Sequence, residues 1–321
     1  MNETLKLLKT TQQWLQNGET AYLFHVAKTW GSSPRPPGSL MVVNERGQHI
    51  GSVSGGCVEE DLFKRIRAGE FREQPVRLIE YSNENQPHIS LPCRGQMQIV
   101  LEVLHDVRAL QPIIEAIESR QTLTRDIHIV QAQIQLHKQR RYHTRFENNV
   151  LTEPYGPGWR ALLIGANDLS QYVARQCQTL GYEVIVADPR DEYRQNWQLS
   201  DCELTALMPD EAVEKYAGDE YTAVLALTHD PRLDDLAIIQ ALDGPAFYLG
   251  ALGSKRSALR RQETFRKMHI PVALTDKLDA PIGLNIGSRS PAEIAVAIAA
   301  KLIQVRNSYV DGGQPASQYQ A

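Results

Sequence analysis

The spacing of apolar residues predicts short helices and strands over the first 119 residues. Apolar positions recur at helical spacing over residues 4–15 and 58–68, and a further helix is predicted over residues 106–119. Strand-like runs lie at residues 21–28, 40–43, 49–53, 76–81 and 96–104. Residues 1–119 are therefore predicted to form a small N-terminal domain of mixed α+β structure.

The pattern weakens over residues 120–156, which are rich in Gln, His and Arg. Two short alternating runs, at residues 127–130 and 134–136, predict a polar hairpin within a linker. The basic cluster at residues 138–143 is interpreted as a solvated edge, with a basic contact patch as the alternative. The segment EPYGPG at residues 153–158 then indicates a domain boundary.

Strands and helices alternate regularly over residues 157–307. Strand-like runs lie at residues 160–164, 183–187, 223–227 and 246–249. Helical segments separate them, which predicts an α/β domain with a Rossmann-like, doubly wound parallel sheet. The last helix is predicted to begin at residues 290–293, where Ser, Pro and Glu occupy typical capping positions. Residues 308–321 are predicted to be a flexible tail.

Composition places the chain among soluble globular proteins. Its 321 residues are 42% hydrophobic and 22% charged, with a formal net charge of -4. This charge gives no reason to expect nucleic acid or a membrane surface as a partner, and no run reaches the ~18 apolar residues that span a bilayer. The four cysteines lack zinc-site spacing and no basic-then-apolar leader is seen, so a cytoplasmic location is expected.

The segment GSVSGGCVE at residues 51–59 is the strongest candidate site. Ser54, Gly55 and Gly56 deliver Cys57 to a predicted helix start, where free amides favour a thiolate and can hold an anion. Acidic residues at positions 59–61 disfavour a thiolate. Because the amides and the carboxylates act in opposite directions, Cys57 is predicted to be a thiol that binds a ligand carrying its own metal or cation. The alternative is a buried structural cysteine.

A second turn, at Cys93 and Arg94, precedes the predicted strand at residues 96–104. If both cysteine turns face one cleft, a thiol, an arginine and several bare amides would surround a large polyanionic ligand.

The predicted Rossmann turn at Gly165 keeps only the first glycine of the dinucleotide fingerprint. Asp168 near the helix start would either repel a phosphate or cap the helix. Asn167, in a left-handed conformation, would preserve the turn. Asp188 follows the second strand, where an acidic residue would accept a hydrogen bond from a ribose. His229 follows the next strand and is interpreted as a proton donor or base, or as a helix cap.

Two further turns combine cations with helix-start amides and are candidate anion sites. Gly253, Ser254, Lys255 and Arg256 precede one helix, and Arg289 precedes the last. No GxSxG, HExxH or GxxxxGK[ST] motif is present, and no complete catalytic set is found. An accessory role is therefore favoured over an enzymatic one.

Several of these segments together resemble the XdhC/CoxI family. The N-terminal resemblance is carried by residues 31–38, 51–59 and the Cys93-x-Gly95 motif. The C-terminal half is similar to the Rossmann domain of that family, through LTHDPRLDD, YLGALGSKR and PIGLNIGSRSPAEIA at residues 227–235, 248–256 and 281–295.

The resemblance implies a maturation chaperone for xanthine dehydrogenase-type molybdoenzymes. Such a protein binds the molybdenum cofactor, as molybdopterin or its cytosine dinucleotide form, and protects it while a cysteine desulfurase supplies the terminal sulfur. It then inserts the cofactor into the apo-molybdoenzyme of the xanthine dehydrogenase/aldehyde oxidase type. Cys57 would hold the cofactor through its metal, and the anionic end would meet Gly55-Gly56 and Lys255-Arg256. The family is also compatible with a homodimer.

The chain departs from the family pattern at the Gly165 turn, which lacks further glycines, and at Arg94, where glycine is common. Two alternatives stay open at this point. An NAD(P)-dependent oxidoreductase would use Asp188 and His229, and a structural adaptor would keep the nucleotide fold as a vestige.

Overall fold

The computed structural model describes residues 3–31, 35–72, 74–82, 96–138 and 143–310, with the backbone alone at residues 57, 309 and 310. The chain divides into two compact units, Glu3–Pro157 and Gly158–Ala321. The division falls within the Pro- and Gly-rich segment 153–158. No helix in these described ranges is long and apolar enough to cross a bilayer.

The first unit contains three helices and nine strands among its described residues. The helices are α1 (Glu3–Gln16), α2 (Cys57–Arg67) and α3 (Gln111–Glu118), with a short 3₁₀ turn at Val107–Ala109 before α3. The strands are β1 (Ala21–Trp30), β2 (Leu40–Asn44), β3 (His49–Gly51), β4 (Val76–Tyr81), β5 (Gln96–Leu104), β6 (Leu123–His128), β7 (Gln133–His137), β8 (Arg145–Glu147) and β9 (Val150–Tyr155).

The first sheet is antiparallel, in the order β3-β2-β1-β5-β4, and both of its faces are covered. Side chains alternate across a strand, so Tyr22 and Phe24 of β1 face one apolar cluster together with Leu62 of α2. Leu23 faces the other cluster, which includes Ile113 of α3. Strand β1 is thus central, and α2 lies against one face of the sheet.

A second antiparallel sheet, in the order β7-β6-β9-β8, occupies the segment expected to be a polar hairpin and linker. Ile127 and Leu151 are fully buried in one cluster with Ala27 and Val100 of the first sheet. The segment is therefore a packed part of the first unit, and the expectation of a linker is corrected. Its polar composition suggested exposure, but two of its charged residues, Arg125 and Glu153, are buried and paired.

Those buried charges form a cluster between the two sheets of the first unit. His25 of β1 lies 2.8 Å from Glu102 of β5 through Nε2, and 2.8 Å from Glu153 of β9 through Nδ1. Arg125 of β6 is 0% exposed and donates two hydrogen bonds to Glu102, one of them at 2.7 Å. The hydroxyl of Tyr155 donates to Glu153 at 2.7 Å. Two cations thus face two carboxylates, which offsets the cost of burying them.

The second unit alternates strands and helices throughout. Its strands are β10 (Arg160–Ile164), β11 (Glu183–Ala187), β12 (Glu203–Thr205), β13 (Thr222–Ala226), β14 (Tyr248–Ala251) and β15 (Leu278–Asp279). Its helices are α4 (Asp168–Thr179), α5 (Asp191–Gln195), α6 (Pro209–Tyr216), α7 (Pro231–Leu242), α8 (Lys255–Lys267), α9 (Val272–Thr275) and α10 (Pro291–Val310).

All strand pairs of this unit are parallel, in the order β12-β11-β10-β13-β14-β15. The order reverses direction between β10 and β13, which is the switch point of a Rossmann-type sheet. Separate apolar clusters cover the two faces, one including Val173 of α4 and the other Ile238 of α7. The predicted fold class, a mixed N-terminal domain followed by a Rossmann-like parallel sheet, is confirmed.

Candidate functional site

The glycine-cysteine turn, residues 52–57, connects β3 to α2. Helix α2 begins at Cys57, one residue before its predicted start. Gly55 and Gly56 have φ values of +91° and +153°, a region that side chains other than glycine rarely adopt. A Cβ atom added at either glycine would meet nothing within 4 Å. The backbone before Cys57 therefore borders open space, where a ligand can approach it closely.

The carboxylate of Glu59 fills the inner side of this turn. It accepts hydrogen bonds at 2.8–3.0 Å from four backbone amides, those of Val53, Ser54, Gly55 and Gly56. The hydroxyls of Ser52 and Ser54 also donate to it. Burial acts to raise the pKa of Glu59, but these hydrogen bonds outweigh it and hold the pKa well below its usual range.

Glu59 therefore occupies the amides that the sequence suggested for a ligand. The prediction that the Gly55-Gly56 amides meet an anionic cofactor group conflicts with this arrangement as long as Glu59 stays ionised. Sequence reasoning counted Glu59 only as a neighbouring negative charge. Its position was nevertheless a signal, because a Glu three residues after an N-cap commonly reaches back to the turn amides.

The remaining acidic neighbours of Cys57 differ from Glu59. Asp61 accepts a hydrogen bond from the hydroxyl of Tyr81 at 2.7 Å and lies 3.6 Å from Arg65. Glu60 is exposed. Only Asp61 has a cation close by, whereas Glu59 is an ionised carboxylate held by neutral donors, so the electrostatic objection to a thiolate at Cys57 remains.

Three residues that the sequence predicts to contact a ligand are not fully described by the structure. Cys93 and Arg94 fall outside the described residues, and the side chain of Cys57 is not described. The predicted metal contact of Cys57 therefore stays a prediction. Within the described ranges, no group of three or more His, Cys, Asp and Glu residues could hold a metal ion.

In the second unit, Gly165 forms the turn between β10 and α4. Its φ is +107°, and a Cβ atom there would lie 2.9 Å from the side chain of Thr228, so glycine is needed. Asn167 caps α4 by accepting from the Ser170 amide at 2.9 Å, and its φ of -92° is not left-handed. The cap expected from Asp168 and the left-handed conformation expected of Asn167 are both corrected.

Asp188 lies at the end of β11 and is 0% exposed. It accepts from the Ala166 amide at 2.8 Å and from the backbone and guanidinium of Arg190 at 2.8–3.0 Å. Burial acts to raise its pKa, but the bonds from Arg190 and Ala166 hold the pKa below its usual value. Asp188 thus holds the turn and Arg190 in place, which conflicts with its predicted role as a ribose acceptor.

His229 follows β13 with a left-handed φ of +64° and an exposed side chain. Asp230, not His229, caps α7, because it accepts from the Arg232 amide at 3.0 Å. The helix-cap interpretation of His229 is therefore wrong. Its ring makes no hydrogen bond or ion pair with another described residue.

The turn before α8 contains Gly253, Ser254, Lys255 and Arg256. Ser254 accepts from the Ser257 amide at 3.2 Å, and the Ser257 hydroxyl accepts from the Ser254 amide at 2.7 Å. This reciprocal pair occupies helix-start amides. The side chains of Lys255 and Arg256 are exposed, and neither forms an ion pair with a described residue.

Arg289 precedes α10, where Glu293 closes the helix start. The amides of Arg289 and Ser290 donate to one oxygen of Glu293 at 2.7 and 3.0 Å. This matches the capping box expected at residues 290–293, and it also takes two amides that would otherwise be open to an anion.

The structure brings some of the candidate residues together. Gly165, Asp188 and the Thr228-His229 turn meet at the carboxyl ends of β10, β11 and β13, where ligands of such sheets bind. In the first unit, Ser54, Gly55, Gly56 and the backbone of Cys57 form one turn around Glu59.

Two family profiles match this chain, one in each unit. The profile of the XdhC and CoxI family matches residues 14–82, and the profile of the XdhC Rossmann domain matches residues 162–302. Both matches include predicted site residues.

Similar proteins cover nearly the whole chain. A Bacillus subtilis (strain 168) protein named as a probable subunit of xanthine dehydrogenase is 28% identical, over 91% of this chain and 95% of its own length. The molybdenum cofactor insertion chaperone PaoD of Escherichia coli (strain K12) is 27% identical, over 94% of this chain and 88% of its own. A crystal structure described as a xanthine dehydrogenase from Bacillus halodurans is 23% identical, with a TM-score of 0.76 and 99% of each chain covered, and supports the fold.

Proposed function

The chain belongs to the XdhC and CoxI family, and we propose that it is a chaperone that binds the molybdenum cofactor and inserts it into a xanthine dehydrogenase-type molybdoenzyme. One observation carries the proposal: the chain is similar over 94% of its length to a protein named a molybdenum cofactor insertion chaperone. The name of the Bacillus subtilis relative supports a xanthine dehydrogenase-type enzyme as the partner.

Cys57 is the residue proposed to hold the metal end of this cargo. It begins α2, and the positive end of a helix stabilises a thiolate, which is a soft metal ligand. The two glycines before it border open space, so a bulky ligand can approach the sulfur without meeting side chains at those positions. The cofactor is molybdopterin or its cytosine dinucleotide form.

Protection and delivery follow from binding strength. The chaperone holds the cofactor while a cysteine desulfurase supplies its terminal sulfur, and then passes it to the apo-molybdoenzyme. Transfer is favourable when the apo-enzyme binds the cofactor more tightly than the chaperone does, and every 1.4 kcal/mol of difference is about a tenfold ratio. Such delivery needs no catalytic group in the chaperone itself.

Replacing Cys57 tests the proposal. We expect Cys57→Ala to weaken cofactor binding at least tenfold, measured by anaerobic ultrafiltration, with an unchanged melting temperature. Cys202→Ala is the control, since this half-buried cysteine lies in the other unit. Equal cofactor retention by the wild type and Cys57→Ala would contradict the role given to Cys57. A wild type that retains no cofactor but captures the apo-enzyme would favour the structural adaptor.

NAD(P) binding by the second unit has less support. The Ala166 amide and the carboxylate of Asp188, both expected near a bound dinucleotide, are hydrogen-bonded to each other. Asp188 is also paired with Arg190. Titration calorimetry with NAD and NADP distinguishes the two functions, because micromolar binding together with turnover of a carbonyl substrate would favour the oxidoreductase.

A further inference from the structure

A cleft of about 450 Å³ opens in the first unit beside the glycine-cysteine turn. Its walls come from the beginning of α1, the loop that leads into β2, and the end of β3. The volume falls within the roughly 300–1,000 Å³ typical of small-molecule sites. The cleft reaches Ser52, the first residue of that turn.

Two cations from separate elements line this cleft. Lys6 lies on α1 and Arg35 lies in the loop that leads into β2. Glu3 is the one acidic residue among the described lining residues, so the local balance is positive. The side chain of Lys6 is exposed, and its ammonium group forms no ion pair with a described residue. An anionic group that enters the cleft can therefore bind the Lys6 ammonium without displacing a described carboxylate.

The rest of the lining suits a ligand that is polar at one end and flat or apolar elsewhere. Leu7, Leu40 and Ile50 contribute apolar surface, and the hydroxyl groups of Ser39 and Ser52 already donate to the Pro36 carbonyl and to Glu59. A phosphorylated heterocycle combines these properties, since its ring can pack on aliphatic side chains while its phosphate meets the cations.

Ser52 links the cleft directly to the turn before Cys57. Its hydroxyl donates to Glu59 at 2.7 Å and accepts from the Gly55 amide at 3.1 Å. Because Glu59 occupies the amides of the turn, a phosphate that arrives with the cofactor is repelled there and needs another cationic site. The cleft at Lys6 and Arg35 shares Ser52 with the turn and provides such a site.

We propose that this cleft binds the phosphate-bearing arm of the molybdopterin cargo, with Lys6 and Arg35 as the phosphate contacts. This inference rests on the proposed function. It moves the anionic end of the cargo from the Gly55-Gly56 amides to a cleft beside them, and it gives a role to Arg35 of the GSSPRPPG segment.

The test compares charge-removing variants of the full-length protein. Anaerobic ultrafiltration with molybdopterin cofactor released from a xanthine dehydrogenase-type enzyme should show about tenfold weaker retention for Lys6→Gln and for Arg35→Gln. Lys9→Gln is the matched control, because Lys9 lies on the same helix but pairs with Glu118 at 2.5 Å outside the cleft. Its retention should stay within twofold of the wild type.

Cofactor treated with phosphatase supplies a second measurement. Without its phosphate, the cofactor loses both cation contacts and should bind the wild type at least as weakly as intact cofactor binds Lys6→Gln, and Lys6→Gln should cause no further loss. Wild-type retention by both Lys6→Gln and Arg35→Gln would overturn the cleft assignment while leaving the chaperone function intact. Failure of the wild type to retain cofactor at all would overturn the function and, with it, this inference.

Discussion

At the scale of single residues, Glu59 decides what the glycine-cysteine turn can bind. Backbone amides that point into one turn attract any nearby anion. A carboxylate three positions into the helix competes well for them, because it belongs to the same chain and is always close by. An external phosphate would have to displace four amide bonds and two hydroxyl bonds. Glu59 therefore fixes the shape of the turn, and the backbone amides of the turn are not available to an external anion.

Replacing Glu59 should loosen the turn. We expect Glu59→Gln to lower the free energy of unfolding by about 2 kcal/mol, because a neutral amide replaces a charged acceptor that satisfies several donors. Urea denaturation measures this change. Glu60→Gln is the matched control, since Glu60 is the exposed neighbour on the same helix, and its effect should stay below about 0.5 kcal/mol. Equal losses in both variants would show that Glu59 does not hold the turn.

At the scale of elements, the sequence predicted most strands and helices but missed one packing relationship. Alternation and capping signals correctly indicated β1, α2 and the capping box of α10, because these depend on neighbours close in the sequence. The segment of β6–β9 is predicted to be a polar hairpin and linker because it is rich in Gln, His and Arg, yet Arg125 and Glu153 are buried. Their partners, Glu102 and His25, lie far away in the sequence, so no local pattern could show that these charges are buried together.

Distance in sequence does not explain what was missed in the candidate site, where the partner that was not predicted lies only two residues from Asp188. Cys57 and its glycines could be found from residue type and order. The pairing of Asp188 with Arg190 could not, because an acidic residue after a strand is equally compatible with a ribose contact. Only the coordinates of the partner distinguish the two.

The buried cluster between the two sheets should make stability depend on pH. Burial acts to lower the pKa of His25, but Glu153 and Glu102 outweigh it and raise the pKa from 6.5 to about 9. A raised pKa means that the stabilisation is complete below pH 6.5 and is lost as the pH rises through 9. We expect the first unit to lose about 3 kcal/mol of unfolding free energy between pH 6.5 and 9.5.

Hydrogen–deuterium exchange of peptides from β1 and β5, in urea at the two pH values, measures this loss within the full chain. His25→Gln should remove most of the pH dependence between these values. His49→Gln, at an exposed histidine of the same sheet, should keep it. A His25→Gln protein that retains the full pH dependence would assign the titration to another group.

At the scale of the whole molecule, the two units have separate cores. The apolar clusters of the Rossmann-type sheet draw only on residues after 158. The clusters of the first unit draw only on residues before 157, and one of them joins its two sheets. Each unit therefore contains the apolar surface that it needs to bury, which is the requirement for folding independently.

The first unit should need its second sheet in order to fold. A domain that ended at residue 119, as the sequence predicts, would lack that sheet. A fragment of residues 1–157 is expected to unfold cooperatively in urea. A fragment of residues 1–119 is expected to be unfolded or aggregated, because Ala27 and Val100 would lose the apolar cover of Ile127 and Leu151, and the His25–Glu102 pair would lose its partners Arg125 and Glu153. Breaking a buried ion pair costs about 3–5 kcal/mol, a large part of the stability of a domain. Circular dichroism during urea titration checks both fragments, and cooperative unfolding of the shorter one would restore residues 120–156 to the role of a linker.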